Sequence, residues 1–136
     1  MKELRVIDAN ILLRFLTNDI PEQANLCTQL LKRIEAGIEQ VLLPDLVLAD
    51  VVWTLEKFYK QPKTTILELL VPILNLRGLR FSSKETAQQA LQLYAEKNVD
   101  WTDAFVAAQM LAKKRNQIYS YDRDFDKITG IARFEP

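Results

Sequence analysis

The chain alternates short runs of strand-forming residues with longer stretches of helical periodicity, and this alternation is the strongest constraint on its fold. Five runs predict strands, the last of them at an edge: 4–7, 41–43, 79–81, 118–121 and 131–134. The segments between them carry apolar residues every three or four positions, which is typical of amphipathic helices. Strands alternating with helices favour a mainly parallel sheet of four or five strands, covered on both faces in a three-layer α/β/α architecture.

Polar residues and prolines set the expected ends of the helices. Asp19 is expected to cap the helix that runs to about residue 37, and Ser82 with Glu85 forms a capping box for the helix that ends near residue 97. Asp100 fits the N-cap of the next helix, which runs to about residue 115. Pro72 is expected to end or kink the helix that begins near residue 62.

Little in the sequence suggests a division of the chain. There are 3 Gly and 5 Pro in 136 residues, and no Ser/Gly-rich linker separates the predicted elements. We therefore expect a single domain spanning residues 1–136. No apolar run is long enough to cross a membrane, no export leader is visible, and Cys27 is the one thiol, so we expect a cytoplasmic protein.

The composition restricts the available chemistry. The chain contains no histidine, which excludes catalysis by imidazole, Ser-His and Cys-His nucleophile pairs, and zinc sites that need imidazole ligands. Lys plus Arg number 18 and Asp plus Glu number 18, so the net charge is zero and a purely electrostatic coat for nucleic acid is not indicated. Carboxylates, hydroxyls, cationic side chains and a borrowed metal remain.

Two predicted strands end on an aspartate. Asp8 follows the first strand and Asp122 follows the fourth. Because parallel strands end at the same edge of a sheet, both carboxylates are expected at the edge where α/β proteins place their sites. The alternative for each is an ordinary helix cap or turn residue, since aspartate favours both places.

Two more aspartates lie in the first turns of predicted helices. Asp50 lies about 60° outside the apolar arc of its helix, among apolar neighbours, and its carboxylate is expected to be poorly solvated. The alternative is a solvated carboxylate at the edge of the apolar face. Asp103 lies in the first turn of a helix that is apolar almost all round, where the helix dipole stabilises an anion. Mg²⁺ or Mn²⁺ would remove the repulsion among Asp8, Asp50, Asp103 and Asp122, and would suit phosphodiester cleavage.

Four motifs in order give a resemblance to a known family. Residues 6–14 read VIDANILLR, residues 48–55 LADVVWTL, residues 100–108 DWTDAFVAA and residues 120–125 SYDRDF. Their order and spacing resemble those of PIN-domain ribonucleases, specifically the toxins of VapBC-type toxin–antitoxin pairs. The resemblance extends over essentially the whole chain.

The resemblance implies a metal-dependent endoribonuclease in which water attacks phosphorus in line and leaves a 5′-phosphate and a 3′-hydroxyl. It implies Mg²⁺ or Mn²⁺ as cofactor, RNA as substrate, a small antitoxin that covers the site, and a homodimer. It assigns the acidic cluster to four residues: Asp8, Asp50, Asp103 and Asp122. It further implies polar or substrate-side roles for Asn10, Thr102 and Ser120, and a fifth acid in Asp124. Arg14 and Arg123 lie near the acids in sequence and are candidates for phosphate contacts.

One position departs from the family pattern. The helix acid of the family is usually Glu, whereas this chain has Asp50, whose side chain is one methylene shorter. A shorter acid favours a water-mediated metal contact, so a catalytically weakened PIN-like domain that binds RNA or a protein partner stays open. A receiver-like domain with one phosphorylated Asp is the other alternative, but its supporting lysine would be Lys84, inside a helix start.

Overall fold

The structure is a computed structural model that describes residues 4–136, and its elements fall into two compact units. One unit ends at Ser82 and the other begins at Ser83. The first unit contains β1 (Arg5–Val6), α1 (Ala9–Thr17), α2 (Pro21–Glu35), β2 (Val41–Leu42), α3 (Asp45–Lys57), α4 (Lys63–Leu74) and β3 (Leu79–Arg80). The second contains α5 (Lys84–Glu96), α6 (Trp101–Ala112), β4 (Gln117–Tyr119), a 3₁₀ helix (Arg123–Lys127) and β5 (Ala132–Phe134).

The first unit is built on a parallel sheet in the order β1-β2-β3. Val41 pairs with Arg5 on one side and with Leu79 on the other, which sets the register of all three strands. Strand–helix–strand connections of this kind bury the apolar stripe of each helix. Leu12 and Leu48 accordingly have almost no solvent contact, and they belong to the core that orients α1 and α3.

A glycine permits a close backbone approach just before β3. A Cβ atom on Gly78 would lie 2.1 Å from the carbonyl oxygen of Glu39 and 2.8 Å from that of Ile34. The Gly78 N–H donates to the same Ile34 carbonyl at 2.8 Å. Any side chain at this position would therefore push β3 away from the end of α2.

The second unit pairs α5 with α6 and places two parallel strands after them. Tyr94 on α5 is fully buried and packs edge-on against Trp101 on α6, with ring centroids 5.9 Å apart. β4 and β5 pair with Tyr119 opposite Phe134. Between them the 3₁₀ helix buries Phe125, which packs with Ile128 against Ala107 of α6. This small cluster fixes the 3₁₀ helix to α6.

The predicted elements are all found, with shorter strands than expected. The α/β class and the parallel pairing are confirmed, with three strands paired in the first unit and two in the second. Pro72 lies inside α4, which continues for two further residues to Leu74. No helix within residues 4–136 is long and apolar enough to cross a membrane. The expectation that no export leader is present depends partly on residues 1–3, which lie outside the described residues.

Two capping predictions are wrong. Ile20, not Asp19, is the N-cap of α2, because the Asp19 carboxylate accepts a hydrogen bond from the Tyr59 hydroxyl instead. Ser83, not Ser82, caps α5, and its Oγ accepts the Thr86 N–H at 3.2 Å. Ser82 donates its hydroxyl to a carboxylate oxygen of Asp45 at 2.7 Å, which draws it away from the helix.

Candidate functional site

A tightly bonded turn follows β4 and carries two of the predicted acids. The Asp122 N–H donates to Ser120 Oγ at 2.9 Å, and the Asp124 N–H donates to Asp122 Oδ1 at 2.9 Å. The Ser120 N–H donates to the Phe134 carbonyl of β5 at 3.0 Å. Asp122 is thus a turn and cap residue, as the alternative interpretation held, and its Oδ1 is the acceptor within the turn.

The first turn of α6 brings its acids to this turn. A hydrogen bond joins the carboxyl groups of Asp103 and Asp122. One carboxylate oxygen from each of Asp100, Asp103 and Asp124 also lies within 4.8 Å of the other two. Four carboxyl groups therefore converge in the second unit, which is the oxygen-rich donor set that Mg²⁺ or Mn²⁺ prefers.

Repulsion within this cluster shows in the ionisation of its members. Partial burial of Asp103, its hydrogen bond to Asp122 and the neighbouring negative charges together raise the pKa of Asp103 to about 7. The pKa of Asp122 is lowered, first by the Asp124 N–H and then by the hydrogen bond from Asp103. Below about pH 7 a protonated Asp103 therefore donates to an ionised Asp122, and a bound cation would replace that proton.

Two cations flank the acid-bearing turn. The Lys127 ammonium lies 3.1 Å from Asp124 Oδ1 and donates to the Asn98 carbonyl at 3.3 Å. The Arg133 guanidinium donates from Nη1 to the Ser120 carbonyl at 3.1 Å. Their positive charges also lower the pKa of Asp122. Both residues hold the turn from outside the carboxylate cluster.

The remaining two predicted acids lie in the first unit. Asp8 is exposed at the N-cap position of α1, and its side chain makes no capping hydrogen bond among the residues described. Asp50 is exposed on α3 and accepts a hydrogen bond from Thr54 Oγ1 at 3.4 Å. The expectation that Asp50 is poorly solvated is wrong, because its place at the edge of the apolar stripe opens to water.

The other predicted residues divide between the two units. Asn10 on α1 and Thr102 on α6 are exposed, and Arg123 is exposed in the 3₁₀ helix. Arg14 is already engaged, since its Nε donates to Gln23 at 3.0 Å and its Nη1 lies 3.5 Å from Asp19. Arg123 therefore carries the more accessible positive charge of the two.

Sequence reasoning missed Asp100 as a member of the cluster. Its position before α6 predicts an N-cap residue, and Asp100 does occupy the N-cap. Within the part of the chain described, however, its side chain makes no capping hydrogen bond. The signal was the Asp-x-x-Asp spacing, which places Asp100 and Asp103 one helical turn apart on the same side. Lys127 and Arg133 carried no comparable signal, because their roles depend on contacts across the 3₁₀ helix and β5.

The comparison with protein families agrees with the motifs. The model of the PIN domain matches residues 5–131, which is nearly the whole chain. The chain belongs to the PIN-domain family. A VapC ribonuclease of Aquifex aeolicus (strain VF5) is similar to it, with 23% identity over 125 residues that cover 92% of each chain. The recognition of a VapC-type PIN domain is confirmed, and the receiver-like alternative is excluded.

Proposed function

We propose that this protein is a metal-dependent endoribonuclease that hydrolyses RNA phosphodiester bonds, as the toxin of a type II toxin–antitoxin pair. The observation that carries the proposal is the convergence of four carboxyl groups in the second unit, those of Asp100, Asp103, Asp122 and Asp124. Such a cluster is costly without a cation and is suited to hold one. The PIN match and the similarity to a VapC ribonuclease support RNA as the substrate.

The donor set fits a hard divalent ion, Mg²⁺ or Mn²⁺. Asp103 and Asp122 are the proposed ligands, and the family resemblance assigns Asp8 and Asp50 to the acidic set. When bound, the ion would lower the pKa of a coordinated water and neutralise charge on the phosphate. Asp103 would have to lose the proton it shares with Asp122, and the turn from Ser120 to Asp124 would orient the Asp122 carboxylate.

The chain's own residues would contribute the rest of the catalytic machinery. Asn10, Thr102 and Ser120 are proposed substrate-side groups, and Arg123 and Arg14 proposed phosphate contacts. In-line attack by water on phosphorus, leaving a 5′-phosphate and a 3′-hydroxyl, needs no histidine, which agrees with the composition.

We also infer the partners and the organisation of the protein. A small antitoxin and a second copy of the chain are the expected protein partners. Leu46 and Trp53 on α3 are 84% and 61% exposed, and such accessible apolar side chains support a protein contact there. The single family match through both compact units supports one domain, and the cytoplasm is the expected location.

A catalytically weakened PIN-like domain that binds RNA or a protein partner is the second candidate. The observation that favours it is Asp50, because its side chain is shorter than the Glu of the family pattern and is exposed on α3. In this case the acids would bind a cation and RNA without efficient hydrolysis.

The deciding experiment incubates purified protein with single-stranded RNA in Mn²⁺ or in EDTA, beside Asp8→Asn, Asp103→Asn and Asp126→Asn variants. Asp126 is an acid of the 3₁₀ helix outside the carboxylate cluster and serves as the matched control. We expect Mn²⁺-dependent cutting by the wild-type and Asp126→Asn proteins, and at least a hundredfold loss in the other two. Equal cutting by all samples would indicate a contaminating nuclease and refute the proposal, and retained RNA binding without cutting would favour the second candidate.

A further inference from the structure

The Arg133 side chain is largely buried although its residue lies near the end of the chain. Only 12% of the side chain is exposed. Its Nε and Nη2 donate to the two carboxylate oxygens of Asp126, at 3.1 and 3.3 Å. Its Nη1 donates to Glu135 at 2.9 Å and to the Ser120 carbonyl at 3.1 Å. One guanidinium thus joins β5, the 3₁₀ helix and the first residue of the acid-bearing turn.

A continuous series of hydrogen bonds leads from this guanidinium to the acids. The Ser120 carbonyl accepts from Arg133, and the Ser120 Oγ accepts the Asp122 N–H. Asp122 then accepts the Asp124 N–H and shares a proton with Asp103. The Ser120 N–H donates to the Phe134 carbonyl, so residues of β5 bind both the carbonyl and the N–H of Ser120.

We propose that Arg133 is a positioning residue that holds the turn from Ser120 to Asp124 so that Asp122 and Asp103 can bind one divalent cation. The proposal deepens the proposed function and rests on it for the cation. Groups that orient metal ligands typically change metal affinity by about 10- to 100-fold when they are removed.

The contacts distinguish this role from that of an ordinary surface ion pair. Asp126 and Glu135 are each 52% exposed, and exposed pairs contribute little to stability. The bond from Arg133 to the Ser120 carbonyl is the contact that reaches the turn. A lysine cannot replace Arg133 fully, since one ammonium cannot form a bidentate ion pair with Asp126 and donate to the Ser120 carbonyl at the same time.

Electrostatics and positioning predict opposite signs for the effect of removing Arg133. Arg133→Met deletes a positive charge beside an acidic cluster, so electrostatics alone would tighten binding of a divalent cation. Loss of positioning would weaken binding instead. Asp126→Asn breaks the same ion pair, yet it leaves the Arg133 contact with Ser120 in place, and it is the matched control.

The experiment titrates Mn²⁺ alone into the metal-free full-length protein by calorimetry at pH 8, with thermal melts to confirm folding. We expect the dissociation constant to rise about tenfold in Arg133→Met, less in Arg133→Lys, and under twofold in Asp126→Asn. Unchanged or tighter binding by folded Arg133→Met would overturn the proposal, as would an equal loss in Asp126→Asn. If Arg133→Met does not fold, the comparison of Arg133→Lys with Asp126→Asn decides by the same criteria.

A second readout separates this proposal from the proposed function. The carboxyl carbon resonances of Asp103 and Asp122, recorded by NMR at pH 6 without metal, report the hydrogen bond between these two residues. We expect both resonances to move in Arg133→Met and to stay in place in Asp126→Asn. If the wild-type protein binds no Mn²⁺, the proposed function fails, and unchanged resonances in Arg133→Met would then refute the positioning role independently.

Discussion

The raised pKa of Asp103 predicts a steep pH dependence of metal binding. Its pKa of about 7 lies far above its usual value of 3.8, because of partial burial, the hydrogen bond to Asp122 and the neighbouring charges. A cation must displace the proton that Asp103 holds below this pKa, and metal binding is then coupled to proton release. Affinity should therefore fall with acidification through a range where ordinary carboxylates stay ionised.

The size of the effect follows from the fraction of Asp103 that is ionised. With a pKa of about 7, this fraction falls from about nine-tenths at pH 8 to about one-tenth at pH 6. The apparent dissociation constant for Mn²⁺ should accordingly rise roughly tenfold between pH 8 and pH 6, and by roughly another tenfold at pH 5. Binding at pH 6 should release about one proton.

Calorimetric titration of Mn²⁺ into the metal-free protein measures both quantities, if each pH is repeated in two buffers with different ionisation enthalpies. Asp100→Asn provides an internal test, because the Asp100 charge raises the pKa of Asp103. In this variant the inflection should move to lower pH, whereas Asp126→Asn should leave it in place. A dissociation constant that is constant from pH 8 to pH 5, or the absence of proton release at pH 6, would refute the reasoning.

Three further predictions concern stability. In EDTA, Asp103 binds its proton more tightly in the folded than in the unfolded chain, so its contribution to the free energy of unfolding is fully present below about pH 4 and is lost as the pH rises through about 7. The difference in melting temperature between the wild type and Asp103→Asn should show this decline, and a difference that does not change with pH would contradict it. Ser83→Ala removes the acceptor for the Thr86 N–H and should cost about 1 kcal/mol in urea unfolding, while Ser82→Ala, as the neighbouring control, should leave the cap of α5 intact. Gly78→Ala forces a Cβ to 2.1 Å from the Glu39 carbonyl and should lower the free energy of unfolding by more than about 2 kcal/mol; a loss under 0.5 kcal/mol, the usual range for a surface substitution, would show that the backbone yields easily.

The sequence was sufficient for the elements because each depends on local pattern. Apolar residues at helical spacing predict α2 and α3, and short apolar runs predict β1 and β2. Capping was less predictable, since the choice between Ser82 and Ser83 depends on Asp45, which lies 37 residues away and accepts a hydrogen bond from Ser82. Competition for a side chain by a partner that is distant in sequence cannot be detected from the local sequence pattern.

The candidate site was predictable in part for a related reason. Asp103 and Asp122 follow from the position of each at an element end, and the structure joins their carboxyl groups. Asp100 has the same local pattern as a capping residue, so only its proximity to Asp124 reveals it. The solvation of Asp50 could not be deduced, because an edge position on a helix is buried or wet according to what packs beside it.

The packing of the 3₁₀ helix affects the thermodynamics of any ligand at the acid-bearing turn. Phe125 and Ile128 bury their side chains against Ala107, so the residues that follow Asp122 are fixed by the hydrophobic core of the second unit. The conformational entropy lost when this loop becomes ordered is thus offset during folding, and not when a ligand binds. A cation arriving there would bury almost no apolar surface, and its association should proceed with a heat-capacity change near zero.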